Sequence, residues 1–451
     1  MRVAVVGGGL SGLTVANRLL DGGAAPTVFE GSGRVGGILG TVERDGFVIE
    51  TGPDSILSEK TAAVELAERL GIAGRIIETN TANRGAYVLH RGELVKVPPG
   101  FSLMAPTRLD AWAKTDIVGW GGKLRAAAEP LVPRRRGGGD ESMASFVRRR
   151  LGAEVLERLA QPLIGGIYGG DPDRLSLAAT MPRFVDMERE HGSVIRGMRA
   201  SQRRKSEQAA SGARYGLFVA FDGGMQVLID ALAARLDDVR LNAPVASVDR
   251  DGDGWRVRDE RFDRVVIALP AWRAAALVRP HHDELADAGE AIPYGSAATV
   301  TFAWPREAIG HPLDAFGFVV PSVERRSILA ATFSSIKWPG RAPEGQVLLR
   351  VFIGGANAPD AAEIDDETLI ALARRELSRL IGVTAAPRFA IPVRYRRAMP
   401  QYQLRHRLRV DSIESMQREV DGLHLAGNAY RGVGIPDTIA YATKVADTVL
   451  A

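Results

Sequence analysis

Val3 to Gly12 reads VAVVGGGLSG, and a stretch of this kind leaves a chain little choice of fold. An unbroken apolar run suits a strand buried on both faces, as in a parallel sheet. Glycines end it at Gly7, Gly8 and Gly9, and Leu10 to Leu20 then carries helical apolar spacing. Pro26 to Glu30 reads as a second strand. A strand, a crossover helix and a parallel strand are therefore expected from Arg2 onward, with no secretory leader ahead of them.

The spacing Gly7-x-Gly9-x-x-Gly12 has a mechanical meaning. Gly7 permits a tight turn, Gly9 lets backbone N–H groups approach a pyrophosphate, and Gly12 lets helix and strand pack closely. Gly8, Leu10 and Ser11 complete the turn. Glu30 closes the second strand where a ribose hydroxyl acceptor is expected, and its charge would repel an adenosine 2′-phosphate. A dinucleotide without that phosphate follows, and NADP is disfavoured.

The remaining composition narrows the class. The 451 residues exceed one simple core, so two or three domains are expected. The absence of cysteine excludes disulfides, thiol catalysis and thiolate metal sites, and no metal site is expected. No uncharged apolar run is long enough to span a bilayer, and a cytoplasmic location is expected. Lys plus Arg number 58 against 54 Asp plus Glu, for a net charge of +4. The basic residues cluster at Arg134 to Arg136, Arg148 to Arg150 and Arg203 to Lys205, which reads as solvated helix faces and loops. No nucleic-acid motif accompanies them.

Along the chain, Lys60 to Leu70, Met143 to Leu163 and Met225 to Leu236 have helical periodicity. Tyr87 to Val97 reads as a hairpin turning at Arg91-Gly92, and Pro133 to Asp140 as a loop. Ala297–Phe302, Phe316–Val320, Ile328–Phe333 and Val347–Ile353 suggest a largely antiparallel sheet. Gly422 to Gly427 is a further buried strand, and a helix begins near Ile435.

Glu30 to Gly37 fits E-x-x-x-R-x-G-G, with Arg34, Gly36 and Gly37 at the marked positions. That extension resembles flavoproteins of the amine oxidase and phytoene desaturase type. Two further segments, Gln161 to Phe184 and Gly427 to Thr438, are much narrower, and Gly52-Pro53-Asp54-Ser55 and Ala398 to Tyr402 accompany them. With them the whole chain resembles the FAD-dependent protoporphyrinogen oxidases of haem synthesis.

The resemblance implies an α/β fold with a Rossmann-like FAD-binding domain, interleaved with an α+β substrate domain and a helical domain. The FAD domain would comprise residues 1–60, 213–295 and 395–451, the substrate domain 61–100 and 296–394, and the helical part 101–212. FAD would be contacted by Gly7 to Gly12, Glu30, Arg34, Gly36 to Ile38 and Gly52 to Ser55. Val245 would lie near the adenine, and Val433, Gly434 and Ile435 near the flavin. Arg84, in NRGAYV, would pair with a substrate propionate, while Phe316, Val319 and Phe352 would pack on the macrocycle.

The implied reaction is oxygen-dependent oxidation of protoporphyrinogen IX to protoporphyrin IX with release of hydrogen peroxide. The flavin carries the chemistry, so no catalytic side chain is assigned. Eukaryotic relatives often carry a basic residue after the Gly-Pro, where this chain has Asp54. That departure points to bacterial-type enzymes, some of which prefer coproporphyrinogen III, the alternative substrate. Arg91 or Lys96 could then add positive charge. A flavin amine oxidase is a weaker alternative, since the stretch RGVGIPDTIAYA offers no aromatic pair to frame the flavin. A non-catalytic tetrapyrrole carrier is weaker still. Phe101 to Trp120 falls where relatives contact membrane, so peripheral association is expected, with transient contact to the next enzyme of the pathway.

Overall fold

The computed structural model describes residues 1–210, 216–355 and 358–451. Two compact units emerge: Met1–Glu78, Tyr215–Pro293 and His406–Ala451 form one, and Thr79–Arg214 with Tyr294–Arg405 the other.

The first unit is built on a five-stranded parallel sheet in the order Val239–Arg240, Ala25–Phe29, Arg2–Val6, Arg264–Ile267, Leu423–Leu425. Val3 to Val6 are buried because both neighbours and both faces are covered. The chain leaves Arg2–Val6 toward one side, and a later segment returns on the other, so the order reverses at this strand. Such a reversal opens a crevice at the carboxyl ends of the strands. The Leu10–Asp21 and Ile435–Leu450 helices each follow a strand of the sheet. They meet at their far ends, where a Cβ on Gly22 would fall 2.3 Å from a Leu450 methyl. Both helices therefore begin at the same edge of the sheet.

The second unit holds a seven-stranded sheet: Phe389–Pro400, Tyr294–Pro305, Gln346–Gly354, Ala330–Phe333, Gly317–Val319, Tyr87–His90, Glu93–Lys96. Every pairing is antiparallel except Gly317–Val319 with Tyr87–His90. Arg91 and Gly92 turn the expected hairpin with φ of 54° and 86°, as a two-residue hairpin loop requires. One face packs Phe302, Phe318, Phe333 and Val351 with Leu369 and Leu377 of the Asp366–Ile381 helix. A separate core around Trp112, Phe146, Leu159 and Phe184 holds the helical part of the same unit. Residues 62–69, expected in the substrate domain, form a helix of the first unit, and the expected boundary at 212/213 lies outside the described residues.

Three expectations need correction. The helix read as Met143 to Leu163 breaks at Gly152, whose φ of 99° no helical residue adopts. Phe316 lies one residue before its strand rather than on it. The Arg148 to Arg150 run is not a solvated face, because Arg150 is completely buried against Glu129 and Arg149 pairs with Glu141 and Glu188. Carboxylates brought from distant segments make burial of those cations possible. Arg134 to Arg136 are exposed, as is Arg203, while the side chains of Arg204 and Lys205 lie outside the described residues.

Candidate cofactor site

The glycine turn is shaped by what surrounds it. A Cβ on Gly12 would lie 1.9 Å from the Gly7 carbonyl oxygen, so only glycine lets the helix start against the strand. The Gly7 N–H donates to the Phe29 carbonyl at 2.8 Å, tying the turn to the second strand. One Glu30 oxygen accepts from the Gly8 N–H at 2.8 Å, and the other from the N–H and hydroxyl of Ser32, both at 2.8 Å. The Gly36 N–H donates to the Gly8 carbonyl at 2.8 Å, laying the Glu30 to Gly37 loop along the turn.

Arg34 is bound within its own loop. Its guanidinium donates to the carbonyls of Val35, Leu39 and Gly37, at 3.1, 2.9 and 2.7 Å. It braces the paired-glycine loop from within. Gly52 presses on that loop, since a Cβ there would fall 2.0 Å from the Ile38 carbonyl oxygen. Ile38 and Pro53 are exposed beside it, and the Ser55 hydroxyl donates to Asp54. Ala243 and Asn242 donate backbone N–H bonds to Glu30 and Ser32 at 2.8 and 2.9 Å, which carries half-buried Val245 past the same loop.

These residues fit a dinucleotide. The Leu10–Asp21 helix has no side-chain cap at Gly9 and no acidic residue in its first turn, so its leading N–H groups remain for an anion. A Cβ on Gly9 would meet nothing nearer than Gly37 Cα at 3.8 Å, leaving room above that helix end. The Ser11 hydroxyl is buried there without a hydrogen-bond partner among the described residues. At the same sheet edge Gly434 begins the Ile435–Leu450 helix, again with no side-chain cap; Val433 and Gly434 are half-buried and Ile435 is buried. The N-terminal turn, the Glu30 loop and Gly52 are thus in direct contact, and Val245 and the 433–435 segment join them on one unit.

The residues expected to hold substrate lie on the second unit. Arg84 is exposed, and the neighbouring Gly85 carbonyl accepts the Phe316 N–H at 3.0 Å. Val319 pairs with Ala330, and Ala330 with Phe352, so Val319 and Phe352 share the sheet face opposite the apolar core. All three apolar candidates are half-buried. Lys96 is engaged by Asp314 at 2.6 Å, which compensates its charge. The Lys96 and Tyr87 hydrogen bonds hold the Asp314 carboxyl down to about 2. Gln161, Gly165 and Gly169 line a cavity of about 390 Å³ with Val323 and Leu329, and the Leu329 N–H donates to Phe352. Sequence reasoning passed over Arg350, on the Phe352 face, whose guanidinium lies 5.1 Å from the Phe352 ring centre and donates to the Tyr395 hydroxyl at 2.8 Å. Its only sequence signal is a lone cation inside the apolar run LLRVF.

A parallel sheet with a glycine turn, a carboxylate at the end of the second strand and two helix ends at one edge is the frame of a dinucleotide-binding protein of the flavoprotein class. Residues 10–450 match the family described as flavin containing amine oxidoreductase, and the chain belongs to that family. It is an oxidoreductase whose cofactor is FAD. A coproporphyrinogen III oxidase from Staphylococcus aureus (strain NCTC 8325 / PS 47) is 33% identical across 100% of this chain and 99% of its own. The mitochondrial protoporphyrinogen oxidase of Nicotiana tabacum is 28% identical, covering 100% and 94%. A crystal structure from Exiguobacterium sp. 255-15 aligns with a TM-score of 0.89 at 30% identity, covering 100% and 98%.

Proposed function

We propose that this protein oxidises coproporphyrinogen III to coproporphyrin III in haem biosynthesis, with FAD as the electron acceptor. The observation that carries this is a set of relatives from three bacterial species, each named coproporphyrinogen III oxidase and each aligning with 97% or more of this chain. Plant relatives named protoporphyrinogen oxidase support the same chemistry on protoporphyrinogen IX. The bacterial names favour coproporphyrinogen III over protoporphyrinogen IX as the substrate.

Bound in this site, FAD would supply the redox chemistry, as hydride acceptor in three two-electron cycles in each of which the macrocycle also releases a proton, with dioxygen as the reoxidant and hydrogen peroxide as its product. The chain's part is to bind, orient and exclude water. Gly7 to Gly12 hold the pyrophosphate, Glu30 the ribose, and Val245 the adenine end. Gly36 to Ile38 and Gly52 to Ser55 flank the second half of the cofactor, and Arg34 shapes their loop. Val433 to Ile435 face the flavin, where the helix end favours the negative charge of the reduced ring. Arg84 pairs with a propionate, and Phe316, Val319 and Phe352 receive the apolar macrocycle.

Peripheral membrane contact, with transient contact to the enzyme that takes the product, is part of the reading, on a protein otherwise in the cytoplasm. No helix among the described residues is long and apolar enough to cross a membrane. Phe101 to Trp120 mostly faces inward: Met104, Trp112, Ile117 and Val118 are buried. Within and just after that stretch, Leu109, Trp120, Leu124 and Leu131 are exposed, with Lys123 over the Trp120 ring, and these support the contact. Recovery of all the protein in detergent-free, low-salt supernatant would remove it.

The central test compares rates on the two porphyrinogens in air, with anaerobic bleaching of the flavin by each. Coproporphyrinogen III is expected to turn over faster. Arg84→Ala should raise KM and leave FAD content unchanged; an unaltered KM would take Arg84 out of the site.

A further inference from the structure

We propose that Lys60 and Asp437 form a charge pair that sets the reduction potential of the bound flavin, an inference that rests on the cofactor placement given above. The Lys60 ammonium lies 2.7 and 2.6 Å from the two Asp437 carboxylate oxygens, across 377 positions of sequence. Each partner adjoins a stretch assigned to the cofactor. Lys60 follows the Gly52 to Ser55 segment, and Asp437 stands in the first turn of the Ile435–Leu450 helix. The pair ties these two segments together.

The Asp437 side chain is held in place. A Cβ on Gly432 would fall 2.2 Å from Asp437 Cβ, and one on Gly434 would fall 3.1 Å from a carboxylate oxygen. The 432–434 turn therefore wraps this side chain, which is 28% exposed against 50% for Lys60. An aspartate in a first helical turn stabilises the helix without any lysine. Helix stability thus does not require the lysine, whereas a flavin at the same helix end gives its charge a role.

Reduction moves a hydride, two electrons and one proton, from the porphyrinogen to the flavin; the ring gains one negative charge, and the macrocycle, left cationic, loses an N–H proton to solvent. An uncompensated Asp437 beside Val433 to Ile435 would oppose that charge. Lys60 cancels the carboxylate and leaves the partial positive charge of the helix end to act. The two partners therefore have opposite effects on the flavin. Removing Lys60 makes reduction harder, and removing the Asp437 charge makes it easier.

The test is the midpoint potential of FAD-loaded protein, read by equilibrium reduction against a reference dye, with FAD content measured separately. Lys60→Met is expected to shift the potential to more negative values, Asp437→Asn to more positive values, and Lys60→Arg to leave it in place. Shifts of the same sign, or none, in variants that retain FAD would overturn the pair's role while leaving the cofactor placement standing. If Asp437→Asn does not fold, equal potentials for Lys60→Met and Lys60→Arg would overturn it alone. Wild-type protein that takes up no FAD would overturn the placement and this inference together.

Discussion

The Glu30 carboxylate accepts the Gly8 N–H at 2.8 Å with one oxygen, while its other oxygen holds the N–H and hydroxyl of Ser32. The side chain assigned to the ribose is thus also the brace between the glycine turn and the loop that follows the second strand. Glu30→Ala removes both functions. Hydrogen bonds to a charged group contribute about 1.5–3 kcal/mol each, so FAD retention should fall by roughly tenfold or more. Flavin absorbance per protein and titration of apoprotein with FAD check this.

Gly12 and Gly9 separate folding from binding. A Cβ at position 12 meets the Gly7 backbone at 1.9 Å, and neither partner can yield. Gly12→Ala should cost about 1–3 kcal/mol or more of stability as an overpacked contact. At Gly9 the nearest atom to an added Cβ is 3.8 Å away. Gly9→Val should leave the apoprotein melting temperature nearly unchanged and abolish FAD uptake by filling the space above the helix end. Thermal melts of the two apoproteins, paired with flavin content, decide between these outcomes.

Arg150 and Glu129 predict a contrast within one basic run. Both side chains are fully buried, with Arg150 Nε 2.6 Å from a Glu129 oxygen. The same carboxylate receives the Val194 N–H at 2.9 Å, capping the Val194–Ala210 helix. Arg150→Met leaves Glu129 buried without its cation and should destabilise by about 3–5 kcal/mol. Arg148, half-exposed and 3.3 Å from Asp173, should cost less than about 1 kcal/mol when changed to Ala. Urea midpoints of the two variants measure the difference.

His424 predicts a pH dependence. It lies on the last strand of the parallel sheet, and burial, helped by the nearby Arg264 charge, lowers its pKa to about 4. The unfolded chain therefore binds a proton that the folded chain refuses. The associated stability is complete above pH 6.5 and is lost as pH falls toward 4. At about 1.4 kcal/mol per unit, a His424→Gln protein should lose less stability than wild type between pH 7 and 5. Parallel melts at the two pH values test the slope; equal slopes would exclude His424 as its source.

The local part of this fold was legible because local physics governs it. The apolar run before Gly7 forces a buried strand, the turn at Arg91-Gly92 needs residues that tolerate positive φ, and Gly-x-Gly-x-x-Gly announces close backbone approach. Across Met143 to Leu163 the apolar periodicity continues through Gly152, where the backbone turns away, so local pattern does not show the break. Phe316 was placed on a strand because apolar pattern does not mark where ladder pairing begins.

Amphipathic spacing, glycine geometry and short motifs act over a few residues, so the chain by itself determined the nucleotide-binding turn, the flavin class and most element types. Partnership between distant side chains depends on how segments are brought together, and no local pattern encodes it. Only the tertiary structure decided that Arg150 is buried with Glu129 and that Lys60 meets Asp437. In each case a charge that composition assigns to solvent finds its partner through folding.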